Sequence, residues 1–172
     1  APTNPLYWFN LGVVTQRAGN KDAAVQAYER ALALNPKYVE ALINLGNVFK
    51  DLHRLEEAVA VYRKAIVLNP GHADTHNNLG VLYRHLSDWR QATWHMLRSM
   101  EIATRLGNFA YLAVTCANLG IVHLKAGSWD EAREHFERAL SSYLQIGRDA
   151  GVARMRIGLA TIASYRHDFT TA

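Results

Sequence analysis

Residues 39–72 read VEALINLGNVFKDLHRLEEAVAVYRKAIVLNPGH, and the fold is decided by how this stretch repeats. The pair Leu45-Gly46 recurs at Leu11-Gly12, Leu79-Gly80 and Leu119-Gly120, and Leu159-Ala160 continues the series, at spacings of 34, 34, 40 and 40 residues. Asn69-Pro70 repeats Asn35-Pro36 at 34, and Ala24, Ala58, Ala92, Ala132 and Ala172 each follow the glycine position by 12. Several residue types in one register identify an internal repeat, and periods of this length signal stacked helical units.

Each unit reads as two amphipathic helices. The first runs over residues 6–18, is broken by Ala18-Gly19-Asn20, and is followed by a second over 22–34. Helix formers fill both segments, and Gly and Pro stand mainly at their borders. The exceptions are Gly12, Gly46, Gly80 and Gly120, inside the first helices. A glycine there costs about 1 kcal/mol against alanine, so its recurrence points to close helix approach. The recurring alanine of the second helix suits the same contact. Large side chains recur beside them: Tyr28, Tyr62, Met96 and Phe136 in one register, Leu55, Trp89, Trp129 and Phe169 in another. Small against large lets helices interlock densely.

On these residues the chain resembles the tetratricopeptide repeat family. The first unit carries Trp8, Leu11, Gly12, Ala24, Tyr28, Ala31 and Pro36 at the signature positions; the second carries Leu42, Leu45, Gly46, Phe49, Ala58, Tyr62, Ala65 and Pro70. Departures are Ser99 and Thr104 for the last alanine and the proline of the third unit, His123 for an aromatic in the fourth, and Ala160 for glycine in the fifth. The resemblance implies an all-α, right-handed superhelical solenoid of antiparallel helix pairs. Its expected units are 5–38, 39–72, 73–112, 113–152 and a partial fifth at 153–172, with 1–4 as the tail of a preceding repeat. The longer units resemble those of kinesin light chains and Leu-Gly-Asn scaffolds. Their extra residues surround Gly107 and Gly147, where a longer second helix is expected to be capped. Ala1 and Ala172 both fall inside the repeat register, so a longer array is expected.

Composition narrows the function. Of 172 residues, 19 are basic and 15 acidic, interspersed along the chain, so a nucleic-acid ligand is not expected. No apolar run approaches the ~18 residues of a membrane span, and membrane binding is not expected. A single cysteine, Cys116, excludes an intrachain disulfide framework and a multi-cysteine zinc site. In packing register with Trp8 and Leu42, it reads as a small core residue. His72 and His76 stand four apart without a metalloprotease glutamate, one at a repeat junction and the other at a packing position, so no metal is expected. With no phosphate loop and no nucleophile–base signature, the chain reads as a non-enzyme without cofactors.

The resemblance implies that first helices line a concave groove that holds a protein or peptide segment. Opposite the packing stripe of Leu42, Leu45, Gly46 and Phe49 lie Glu40, Ile43, Asn44, Asn47, Lys50 and Asp51. The third unit offers Asp74, Asn77, Asn78, Val81, Arg84 and His85. One position is nearly constant: Asn10, Asn44, Asn78 and Asn118, then Gly158. An amide both donates and accepts, so such a row suits a peptide backbone. The row resembles the asparagine ladder of O-linked GlcNAc transferase repeats, although a purely local bond explains an asparagine equally well. Phe9, Ile43, Val81 and Ile121 are expected to supply apolar contacts. Arg17, Lys50, Arg84 and Lys125 end successive first helices; they suit an acidic ligand or simply the helix dipole. Phe9, Ile43 and Asn77 replace the leading lysine of the family's carboxylate clamp, which argues against chaperone tails. Two other functions are open: a substrate-recruiting arm of a larger enzyme such as a glycosyltransferase, and self-assembly through exposed repeat faces.

Overall fold

A computed structural model describes the backbone of residues 2–170 and the side chains up to residue 165. Among these residues every regular element is a helix: α1 Pro5–Arg17, α2 Lys21–Leu34, α3 Val39–Asp51, α4 Leu55–Leu68, α5 Ala73–His85, α6 Trp89–Arg105, α7 Phe109–Lys125, α8 Trp129–Gln145 and α9 Asp149–Thr170. The first two match the expected boundaries within a residue. Phe169 and Ala172, singled out by their register, lie outside the described side chains. The chain forms two compact units, residues 1–75 and 76–172, and the division falls within α5.

Local chemistry sets the helix ends. The side chains of Asn4, Asn20, Asp88 and Asn108 cap α1, α2, α6 and α7 by accepting from a backbone N–H in the first turn, and Pro5 opens α1. At the end of α6, Gly107 is left-handed at φ +62°. Its N–H donates to the Thr104 carbonyl at 3.1 Å and the Asn108 N–H donates to Ala103 at 2.9 Å. That double closure satisfies carbonyls the helix would otherwise leave open. Gly147 at φ +66° ends α8 in the same way. The expected lengthening of the second helix is present: α6 and α8 have 17 residues where α2 and α4 have 14. The extra residues also lengthen the following first helix, since α7 has 17 residues against 13 in α1, α3 and α5. Asn108 caps α7 directly after Gly107, so no linker consumes the insertion.

In the first unit, the two fully buried tyrosines lie against glycine. A Cβ built on Gly12 would stand 2.5 Å from the Tyr28 ring, and one on Gly46 would stand 2.6 Å from Tyr62. Ala24 and Ala58 are fully buried beside them. In the second unit, Gly80 meets Met96 and Gly120 meets Phe136, each at 2.5 Å from the built Cβ. The repeated glycine is therefore a seat for the large residue of the paired helix, as the small-against-large pattern implied. Ala113, Cys116, Ala132, Phe136 and Ile162 form the centre of this unit's core.

Candidate functional site

In the first unit the surface of interest belongs to α1 and α3. Asn10 is exposed; Asn44, Asn47 and Lys50 are half-buried. The asparagines are not merely solvated. Asn47 Oδ1 accepts from the Tyr62 hydroxyl at 2.6 Å. The Tyr28 hydroxyl donates to Gln16 Oε1 at 2.8 Å and receives a bond from the Asn44 amide. Burial pushes both phenols above their ordinary range. These amides thus satisfy polar tips of core tyrosines, which a buried hydroxyl requires. Phe9 is half-buried and tilts against Tyr38, ring centroids 4.9 Å apart, and toward Tyr28 at 6.0 Å.

Ile43 departs from expectation. It is only 8% exposed, so little of its side chain reaches the surface. The reason is that α3 packs against α1, α2 and α4 at once, so it is buried over a wider arc than a two-faced helix.

In the second unit, Asn78, Val81, Arg84, Asn118 and Ile121 are half-buried and Lys125 is exposed. Asn77 is the second departure: it is 6% exposed, and its Oδ1 accepts from Asn118 Nδ2 at 3.0 Å. This bond ties α7 to α5 and holds the Asn118 amide in place. Arg84 stands differently. Its Nε is buried with no hydrogen-bond partner among the described residues, and its Nη2 reaches only His85 Nε2, at 3.5 Å. A guanidinium left in this condition favours an incoming acceptor.

The histidines divide among separate packing roles. His72 Nδ1 lies 2.7 Å from the Thr75 hydroxyl and accepts the Thr75 N–H. In the second unit, buried His76 and His95 pair Nδ1 to Nδ1 at 3.1 Å, and His95 stacks on Tyr83. His135 stacks on His123 at 5.2 Å. Burial first, and the His123 charge second, hold the His135 pKa below its ordinary value. Among the described residues, no three His, Cys, Asp or Glu side chains converge on a metal position. Cys116 is fully buried, its Sγ 3.7 Å from Met100 Sδ, and burial pushes its thiol up to about 11. No helix among the described residues is long and apolar enough to cross a membrane.

Paired helices with glycine seats define the class: an all-α helical-repeat protein. The chain belongs to the tetratricopeptide repeat family, a class of protein-interaction scaffold; family models described as "Tetratricopeptide repeat" match residues 71–145 and 111–172, and residues 9–73 and 43–92. No curated protein matches the chain. Among solved structures, a MamA protein is similar at 21% identity and a TM-score of 0.74, covering 96% of this chain and 94% of that one. A second MamA structure is similar at 22% identity and a TM-score of 0.71, covering 92% and 97%. MamA residues 41 to the end from Desulfovibrio magneticus RS-1 give 18% identity and a TM-score of 0.74, covering 83% and 77%. At such identities the likeness concerns the fold.

Proposed function

We propose that the chain is a non-enzymatic scaffold whose first-helix surfaces hold a segment of another protein. The carrying observation is Arg84, a half-buried cation whose Nε has no hydrogen-bond partner among the described residues, beside the accessible parts of Asn78 and Val81. The three step along α5 at helical spacing and combine an amide, an apolar contact and a charge. In the first unit, Asn10, Asn44 and half-buried Phe9 offer the same mixture. The amides of Asn44 and Asn118 are held by Tyr28 and Asn77, so they are ordered before any ligand arrives. Ile43 and Asn77 support this surface from within.

Selection from a random 12-residue peptide library on the immobilised chain tests the reading. Arg84→Ala removes a charged hydrogen-bond donor worth about 1.5–3 kcal/mol, or roughly 10- to 100-fold in Kd. Peptides that bind the Arg84→Ala and Asn10→Ala variants with unchanged affinity would remove the first-helix surface from consideration.

One observation favours self-association as a second reading. Leu11 is 36% exposed, while its register equivalents Leu45, Leu79 and Leu119 are at most 3% exposed. Leu6, Tyr7 and Val14 extend the apolar surface of α1. Light scattering over a range of concentrations decides it: an invariant monomer mass excludes association through α1.

A further inference from the structure

We infer a second binding surface, on the second-helix side of the α5–α6 pair, for an acidic peptide segment carrying an apolar anchor. The repeat register isolates it. At the position of Trp94 the other second helices carry Gln26, Ala60 and Glu134; at that of Leu97 they carry Glu29, Arg63 and Glu137; at that of Arg90 they carry Asp22, Glu56 and Asp130. The fold therefore accepts small or charged groups at these places. Only α6 sets a tryptophan and a leucine there, and both are exposed: Trp94 at 53% and Leu97 at 41%. Trp94 lies edge-on to His95, ring centroids 4.6 Å apart, and tilts toward His76 at 6.0 Å, so the indole is positioned while about half of it stays exposed.

These residues are not scattered. Trp89, Arg90, Trp94 and Leu97 line one groove of about 490 Å³ with Val122 and His123 of α7. That is room for one or two large side chains, and a tryptophan-lined cleft is the usual seat of an interface anchor. Charge selects the occupant. No carboxylate lines the groove, and Arg90 is exposed at its edge. Farther along α6, Arg98 pairs with Glu101 and Arg105 adds a second cation. At the positions of Arg90, Trp94 and Leu97, α8 carries Asp130, Glu134 and Glu137, with Arg133 and Arg138 beside them. At these three positions an acidic segment is thus favoured on α6 over α8. Single-stranded nucleic acid fits less well, because a phosphate chain needs a continuous cationic track.

The test uses the whole chain and the peptides enriched from the same library, sorted by two variants. Trp94→Gln with Leu97→Glu installs the residues α2 carries in this register; Arg90→Glu installs that of α4. Both leave the buried face of α6 untouched, and circular dichroism checks the fold. The expected result is a class of peptides combining Asp or Glu with Leu, Phe or Trp, weakened at least 10-fold by each variant. Arg84→Ala leaves that class unchanged, which separates this surface from the first-helix one. The inference is overturned if no enriched peptide responds to Trp94→Gln/Leu97→Glu. It is also overturned if the responsive peptides lack acidic residues and ignore Arg90→Glu, or if oligothymidylate displaces them. Concentration-dependent dimerisation abolished by the double variant would make the occupant a second copy.

Discussion

Replacing Gly46 with alanine sets two effects of opposite sign against each other. Alanine gains about 1 kcal/mol over glycine in a helix interior. The new methyl would stand 2.6, 2.8 and 2.9 Å from three carbons of the Tyr62 ring. Carbon contacts that close require something to move. Tyr62 is fully buried, and its hydroxyl is tied to Asn47 at 2.6 Å. Shifting the ring therefore strains the core by about 1–3 kcal/mol and weakens a hydrogen bond worth about 0.5–1.5 kcal/mol. The expected net is a loss of about 1–3 kcal/mol. Gly80→Ala meets Met96 Cγ at 2.5 Å and the Ala92 carbonyl oxygen at 3.1 Å, so it should destabilise as well. Urea denaturation followed by circular dichroism gives the stability, and hydrogen exchange in α3 and α4 locates the loss. A neutral or stabilising Gly46→Ala would show that the glycine register does not seat the large residue.

Further outcomes are expected. Ser87 holds a left-handed backbone at φ +59° where Gly107 and Gly147 end other helices; Ser87→Gly should raise stability by about 1 kcal/mol, and an unchanged urea midpoint would contradict the strain. Asn44→Ala removes a partner of the buried Tyr28 hydroxyl and should cost about 1 kcal/mol of stability, whereas Asn10→Ala at an exposed site should cost almost none; equal thermal midpoints would deny Asn44 its structural role. For His135, whose folded pKa lies below the ordinary 6.5, the unfolded chain takes up the proton first, so this contribution is intact above about pH 6.5 and is lost as pH falls below it. His135→Leu should therefore shrink the drop in melting temperature between pH 7.5 and 5.5, and an unaltered drop would refute the sign.

Much of the architecture was legible because packing leaves a periodic trace. Gly46, Ala58 and Tyr62 recur in register, and one contact explains all three. The long second helices could be read from the missing proline and from Gly107. The longer α7 could not, because Asn108 is as much a turn residue as a cap until its side chain is seen accepting the Tyr111 N–H. The binding surface was less legible. Periodicity places Asn44 and Asn47 opposite the packing stripe, but it does not show that a tyrosine hydroxyl reaches each of them. Nor does it show that α3 has three helical neighbours, which is why Ile43 is buried. The groove at Trp94 had a signal in the sequence: a tryptophan and a leucine in registers where the other repeats place Gln26, Glu29, Glu134 and Glu137. The groove itself is not legible there, because its walls come from α6 and α7, which only the fold brings together.

The most direct measurement is a backbone amide chemical-shift map of the chain titrated with a library-selected peptide sensitive to Arg84→Ala. A scaffold that binds through its first helices should shift Asn78, Val81 and Arg84 in saturable fashion, and leave the buried faces of α6 and α8 unmoved. Saturable shifts confined to second-helix or loop residues, or no saturable shifts at any concentration, would contradict it.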